Sequence, residues 1–142
     1  MIQQSPIKIW RKFNNRYRLL GNECVDCKNR HYPPVQVCKK CHGTNLVAYQ
    51  YPNTGKLISW SKVTAVSKGF ESYAPYIIAI VELEGGERIT TQVVDVEYED
   101  LKYEMKLKAV FRKVFVDGNR GVIHYAIKFK PLKIIPDREI IV

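Results

Sequence analysis

The sequence predicts a mainly β protein in which a short helix and a four-cysteine metal ribbon precede a closed five-stranded barrel. Three observations carry that prediction. All four cysteines fall within residues 24–41, as two C-x-x-C pairs with ten residues between them. From Gly55 onward, apolar residues alternate with polar ones in runs of strand length, and no long helical period appears. Ahead of the cysteines, Ser5-Pro6 opens a stretch with helical spacing.

Each C-x-x-C turn puts two sulfurs on one side of a tight knuckle. Two facing knuckles supply four thiolates in a tetrahedron, the geometry of a closed structural Zn²⁺ site. Cys24, Cys27, Cys38 and Cys41 are therefore the candidate metal ligands. Iron takes the same ligand set. A disulfide pair would need an oxidising compartment, and a redox pair would need one C-x-x-C on a βαβ framework. His31 and His42 are expected on the surface, because four cysteines already fill the shell. Asn29 and Gly43 are expected to take the left-handed turns that aim backbone N–H groups at sulfur. Lys28, Arg30, Lys39 and Lys40 lie in or beside the knuckles and offset the negative charge of a thiolate cluster.

With 142 residues, 46% of them hydrophobic, the chain has the content of one medium globular domain or two small ones. Its longest apolar run, residues 76–81, is far too short to span a bilayer, so no membrane partner is expected. The first six residues have neither a basic n-region nor an apolar h-region, and a cytoplasmic protein with reduced cysteines is the expectation. The net charge of +9 is unevenly spread. Residues 1–50 hold nine Lys and Arg against Glu23 and Asp26, a balance of +7, whereas residues 51–142 hold fourteen against twelve, only +2. Nucleic acid, a phosphate-rich cofactor or an acidic protein surface would each satisfy the basic half.

Along the chain, Ile9, Phe13 and Tyr17 recur at helical spacing with Trp10 beside them, while Lys8, Arg11 and Lys12 form the polar side. Asn14-Asn15 is the expected stop. Such a helix either docks on its own domain or offers aromatic and basic groups to a partner or to phosphates. Residues 16–24 enter the ribbon as a strand, Tyr32-Pro33-Pro34 is a rigid link, and residues 46–51 leave it. Pro52-Asn53-Thr54-Gly55 marks a boundary between an amino-terminal unit, 1–51, and a barrel unit, 52–142.

In the second unit, strict alternation over residues 56–66 sets Leu57, Ser59, Ser61 and Val63 against Ile58, Trp60, Lys62 and Thr64. Residues 76–83 form an apolar strand closed by the hairpin turn Glu84-Gly85-Gly86-Glu87, from which residues 88–96 rise. Residues 98–103 read as a turn or one helical turn. Further strands cover 105–114 and 122–130, on either side of the turn at 117–121. Five such strands suit a small barrel of OB type, filled by alternate side chains. Residues 131–142 are apolar for a terminus, and are expected to fold back over the barrel or to serve as an interaction tail.

Catalytic constellations are missing from this pattern. No H-x-x-x-H pair, Gly-rich phosphate loop or G-x-S-x-G elbow occurs, and the cysteines are consumed by metal. A binding or scaffold role, and not an enzyme, is expected. One loop stands out: residues 67–76 set Phe70, Tyr73 and Tyr76 beside Gly69 and Pro75. These aromatics either plug the barrel mouth or form a platform for an apolar or planar ligand. Single-stranded nucleic-acid binding is the alternative function, and the near-neutral charge of the barrel half weighs against it.

Several segments together resemble a known family: small proteins that join a rubredoxin-like zinc ribbon to an OB-fold and accompany acyl-CoA and thiolase-type enzymes. The resemblance is carried by the helix with Trp10, by Leu19-Leu20-Gly21-Asn22-Glu23-Cys24, and by Tyr32-Pro33-Pro34 before C-K-K-C-H-G. It continues through Gly55-Lys56-Leu57-Ile58-Ser59-Trp60, Ala74-Pro75-Tyr76, Met105 to Phe111 and Tyr125 to Pro131, covering residues 8–131. Lys28 and Val35 stand where the family often has Gly and Arg, and Arg30 is the residue at hand to replace that arginine's charge. The resemblance implies a non-catalytic scaffold subunit of the mevalonate pathway. Its implied partners are acetoacetyl-CoA thiolase and hydroxymethylglutaryl-CoA synthase, between which it helps pass a CoA thioester. On that reading Phe70, Tyr73, Pro75 and Tyr76 lie near the acyl or pantetheine moiety of a bound acyl-CoA. Arg11, Arg16 and Arg30 then meet its phosphates or an acidic partner.

Overall fold

A computed structural model describes residues 5–68, 70–116 and 119–132. The helix forms and starts at Pro6 as expected, but it ends later. α1 runs Pro6–Tyr17, straight through Asn14-Asn15. Continuing the helix brings Tyr17 onto the barrel: its ring meets Phe13 at 3.8 Å and Phe111 at 4.4 Å, both edge-on. Phe111 in turn stacks on Tyr125 at 5.1 Å. Ser5 occupies the cap position, yet its hydroxyl makes no capping bond; its carbonyl accepts the Ile9 N–H at 3.2 Å. A helix of this length is marginal in water. The aromatic seam holds it.

Three short strands make the ribbon: β1 (Leu20–Cys24), β2 (Arg30–His31) and β3 (Leu46–Gln50), antiparallel in the order β2-β1-β3. β1 starts later than residue 16 because the helix and a left-handed turn at Leu19 (φ 48°) take up the intervening chain.

The barrel consists of β4 (Thr54–Val63), β5 (Tyr76–Leu83), β6 (Arg88–Val93), β7 (Lys106–Val116) and β8 (Ile123–Pro131). They close in the order β4-β5-β6-β8-β7, with β6 and β8 parallel and the other pairs antiparallel. This is the expected OB barrel. Its interior is filled by Leu57, Ile77, Ala79, Val81, Leu83, Val93, Leu107 and Phe129, with Leu101 from the short turn after Tyr98–Asp100. Gly85 and Gly86 take φ +112° and +90° in the β5–β6 turn, where the Leu83 N–H reaches the Glu87 carbonyl at 2.7 Å.

Two strands depart from strict alternation, β7 between Lys113 and Phe115 and, nearer the core, β4. A bulge between Leu57 and Ser59 slips β4 by one residue, so Leu57 and Trp60 both pack on the core that alternation would have put on opposite sides. The expectations for residues 133–142 lie outside the described residues, as do Gly69 and the 117–118 part of the β7–β8 turn.

The two units share a core. Leu19 and Tyr51 of the amino-terminal half belong to the same buried cluster as the barrel interior. Tyr32 and Tyr49 meet the Tyr51 ring edge-on at 6.0 and 5.0 Å. The Tyr51 hydroxyl is buried without a hydrogen-bond partner among the described residues, and burial pushes its pKa up to about 12. Gly21 makes this contact possible, because a Cβ there would run into the His31 carbonyl and stand 2.8 Å from the Tyr51 ring.

Two substitutions check this junction by chemical denaturation. Gly21→Ala is expected to destabilise the fold by about 1–3 kcal/mol through overpacking against backbone. Tyr51→Phe removes an unpaired buried hydroxyl and is expected to leave stability unchanged or raise it by up to about 1 kcal/mol.

Candidate functional site

Two knuckles repeat one hydrogen-bond pattern. In the first, the Lys28 N–H donates to the Cys24 carbonyl at 2.9 Å and the Cys24 N–H to the Asn29 carbonyl at 2.9 Å. In the second, the His42 N–H donates to the Cys38 carbonyl at 3.0 Å and the Cys38 N–H to the Gly43 carbonyl at 2.9 Å. The residues that turn the chain back are Lys28 and His42, both at φ 60°. That corrects the expectation for Asn29 and Gly43 by one position. Reversal has to occur immediately after the second cysteine, so that the next carbonyl can face the first. For a side-chain-bearing residue the left-handed conformation costs about 1 kcal/mol.

The knuckles converge four sulfurs. All four Sγ atoms lie within 4.8 Å of one another, with Cys24–Cys41 and Cys27–Cys38 each 3.5 Å apart. Tetrahedral zinc at about 2.3 Å from each sulfur requires S–S separations of roughly 3.8 Å. The cluster has the right size. Its electrostatics also ask for a cation. The Cys38 thiol is pulled down to about 5 by the backbone N–H of Cys41 and then of Lys40, with His31 and Cys27 adding to it. Cys41, although the Gly43 N–H draws it down, is pushed up to about 12 by the Cys24 and Cys27 sulfurs. Thiols this close cannot all ionise unaided, and a divalent ion removes the conflict by deprotonating every ligand.

His31 is not a surface residue. It is 2% exposed, and its Nε2 stands 3.4 Å from Cys38 Sγ, where an N–H would donate to the thiolate. The pairing of Asn22 with His31 across β1 and β2 turns the imidazole inward. Asn22 is a second residue that sequence reasoning missed. Its Nδ2 donates to the Val35 carbonyl at 2.6 Å, pinning the Pro-Pro link to β1. His42 is exposed, as expected.

The arginines divide. Arg30 is engaged inside the chain: its guanidinium bonds Glu23 at 2.8 Å and lies 4.1 Å above the Tyr49 ring. It also packs on the β5–β6 turn at Gly85, fastening ribbon to barrel. Arg11 and Arg16 project from α1 and are exposed.

The loop aromatics take up different positions. The Tyr73 ring covers Lys128, 5.1 Å from its Nζ, and Lys128 is only 7% exposed. Burial and then the nearby Arg112 lower the Lys128 pKa. Phe70 is half-buried, Pro75 is exposed, and Tyr76 opens β5 opposite Val63. A groove of about 620 Å³ lies elsewhere, among Lys56, Glu82, Gly85, Lys106 and Leu132. No helix among the described residues is long and apolar enough to cross a membrane.

Comparison with known proteins places these features. Residues 15–47 match the family model of the ChsH2 rubredoxin-like zinc ribbon domain, and residues 48–112 that of the ChsH2 C-terminal OB-fold domain. A DUF35 domain-containing scaffold protein of Methanocaldococcus jannaschii is 41% identical over 128 residues, 89% of this chain and 91% of that one. A probable enoyl-CoA hydratase alpha subunit of Thermomonospora curvata is 26% identical over 97 residues, 68% of this chain and 30% of that protein. The solved Ltp2-ChsH2(DUF35) aldolase contains a chain with the same fold, at a TM-score of 0.68 and 21% identity, covering 92% of this chain and 96% of that one.

Two variants test the knuckles by metal content and melting. Cys38→Ser is expected to drop bound metal from one per chain toward none and to unfold the ribbon first. Lys28→Gly is expected to keep the metal and to gain up to about 1 kcal/mol, the relieved left-handed strain outweighing the added chain entropy.

Proposed function

The chain belongs to the family of DUF35 domain-containing scaffold proteins, and on that footing we propose that it is a non-catalytic scaffold subunit of acyl-CoA metabolism. Its partners are thiolase-superfamily enzymes, acetoacetyl-CoA thiolase and hydroxymethylglutaryl-CoA synthase. Held together, the two pass a CoA thioester at high effective concentration instead of releasing it to bulk water. Cys24, Cys27, Cys38 and Cys41 hold zinc, which supplies a structural cross-link with no open coordination position. The observation that carries the reading is this combination of a closed four-sulfur site and a filled barrel on a chain whose relative is named a scaffold. Neither offers a place for bond-making. Two further likenesses support a life among CoA enzymes and in complexes: the partial match to an enoyl-CoA hydratase subunit, and the shared fold with a chain of a solved aldolase.

Within this proposal Phe70, Tyr73, Pro75 and Tyr76 attend the acyl or pantetheine end of the thioester. Arg11 and Arg16 serve its phosphates or an acidic partner, while Arg30 contributes from inside by fixing ribbon to barrel. The barrel face that OB folds commonly use for oligonucleotides runs through Ser59, Ser61, Ile78, Ile80, Thr90 and Gln92, aligned across β4, β5 and β6. These six central residues carry neither cation nor aromatic ring, and the Arg88 that flanks them across β5 and β6 is paired with Glu82 at 3.1 Å, which argues against a strand-binding role.

Co-expression with untagged thiolase and synthase from the same organism is the direct test. The tagged chain is expected to carry both enzymes through size-exclusion chromatography, and to bind a CoA thioester more tightly in that complex than alone by calorimetry. A monomer that binds neither enzyme and no thioester would sink the proposal.

A further inference from the structure

Among the described residues, α1 has one side without a partner. Its Ile9–Phe13–Tyr17 row leans on the body of the protein, through Tyr17 on Phe111. One stripe over, Ile7 is 62% and Trp10 78% exposed, and Phe13 in the first row is itself 46% exposed. The apolar surface continues onto the barrel end, where Phe111, Tyr125, Ile123 and Val116 are also exposed. A contiguous apolar surface built from a tryptophan and several aromatics is the composition of an interface centre, not of a solvated helix. The charged residues around it are all cationic. Lys8, Arg11, Lys12, Arg16 and Arg18 surround it, no acidic residue occurs before Glu23, and none of the five forms an ion pair among the described residues.

From this we infer that Ile7, Trp10 and Phe13 form the anchor through which the chain docks on its enzyme partner, in an apolar depression rimmed by carboxylates. The occupant is an acidic protein surface, because charge of one sign around a buried-type apolar centre selects a partner of the opposite sign. A nucleic-acid strand would take up the cations and stack a base on Trp10, but it gives the aliphatic Ile7 beside that ring nothing to bury against, whereas an apolar depression in a protein covers both. This inference rests on the scaffold reading and adds to it the face and its chemistry. Trp10 is 78% exposed and stands outside the buried cluster, so its removal tests docking and not folding.

The experiment compares native chain, Trp10→Ala and the double variant Lys8→Glu/Arg11→Glu for binding to purified thiolase and synthase by interferometry. Zinc content and circular dichroism are followed in parallel. Trp10→Ala is expected to weaken one of the two enzymes by at least about tenfold at any salt. The charge reversal is expected to slow association steeply at low salt and little at high salt. If the native chain binds and Trp10→Ala binds equally well, the docking face is wrong and the scaffold reading survives. If the native chain binds neither enzyme, both fall. A native dimer in sedimentation that Trp10→Ala dissolves would assign the face to a second copy and overturn the inference. So would oligonucleotide binding lost in the charge reversal but kept in Trp10→Ala.

Discussion

Four sulfurs within 4.8 Å of one another are the constraint on which the amino-terminal half depends. Between Val25 and Gln50 only His31 and Cys38 are buried, and both face that cluster. A segment of this size with no apolar core cannot meet the entropy of ordering its backbone by burial. The metal cross-link has to do it. Once the knuckles are tied, β2 lies against β1, Asn22 can hold the Pro-Pro link, and Arg30 is placed to reach Glu23, Tyr49 and the barrel turn.

The barrel meets the opposite condition. Closure pairs every edge, and alternate side chains fill the middle, so stability comes from burial without any ion. A filled barrel and a saturated metal site leave the outer surfaces as the places where this protein can act. Those surfaces differ in kind. The centre of the β4–β6 face is uncharged, with Ile78 and Ile80 exposed and an Arg88–Glu82 pair at its end, whereas the helix end combines aromatics with cations.

Membership of the DUF35 scaffold family agrees with that division of labour. The same ribbon-and-barrel framework occurs in a chain of a solved aldolase at 21% identity, a level at which only the fold is shared.

By itself the sequence determined the ligand set, the OB-type barrel and the Gly85-Gly86 turn. Each of these is written in local spacing: a C-x-x-C knuckle, a period of two, a pair of glycines with positive φ. Tertiary structure decided the rest. It buried His31 against Cys38, moved the left-handed residues to Lys28 and His42, and slipped β4 so that Trp60 joined Leu57 on the core. It also spent Arg30 inside the chain and merged Leu19 and Tyr51 with the barrel interior. Apart from Lys28 and His42, which the hydrogen bonds inside each knuckle select, these outcomes turn on which distant segment arrives beside a residue, through strand pairing or packing of ribbon on barrel. Spacing along the chain encodes no such distance, so only the assembled fold could settle them.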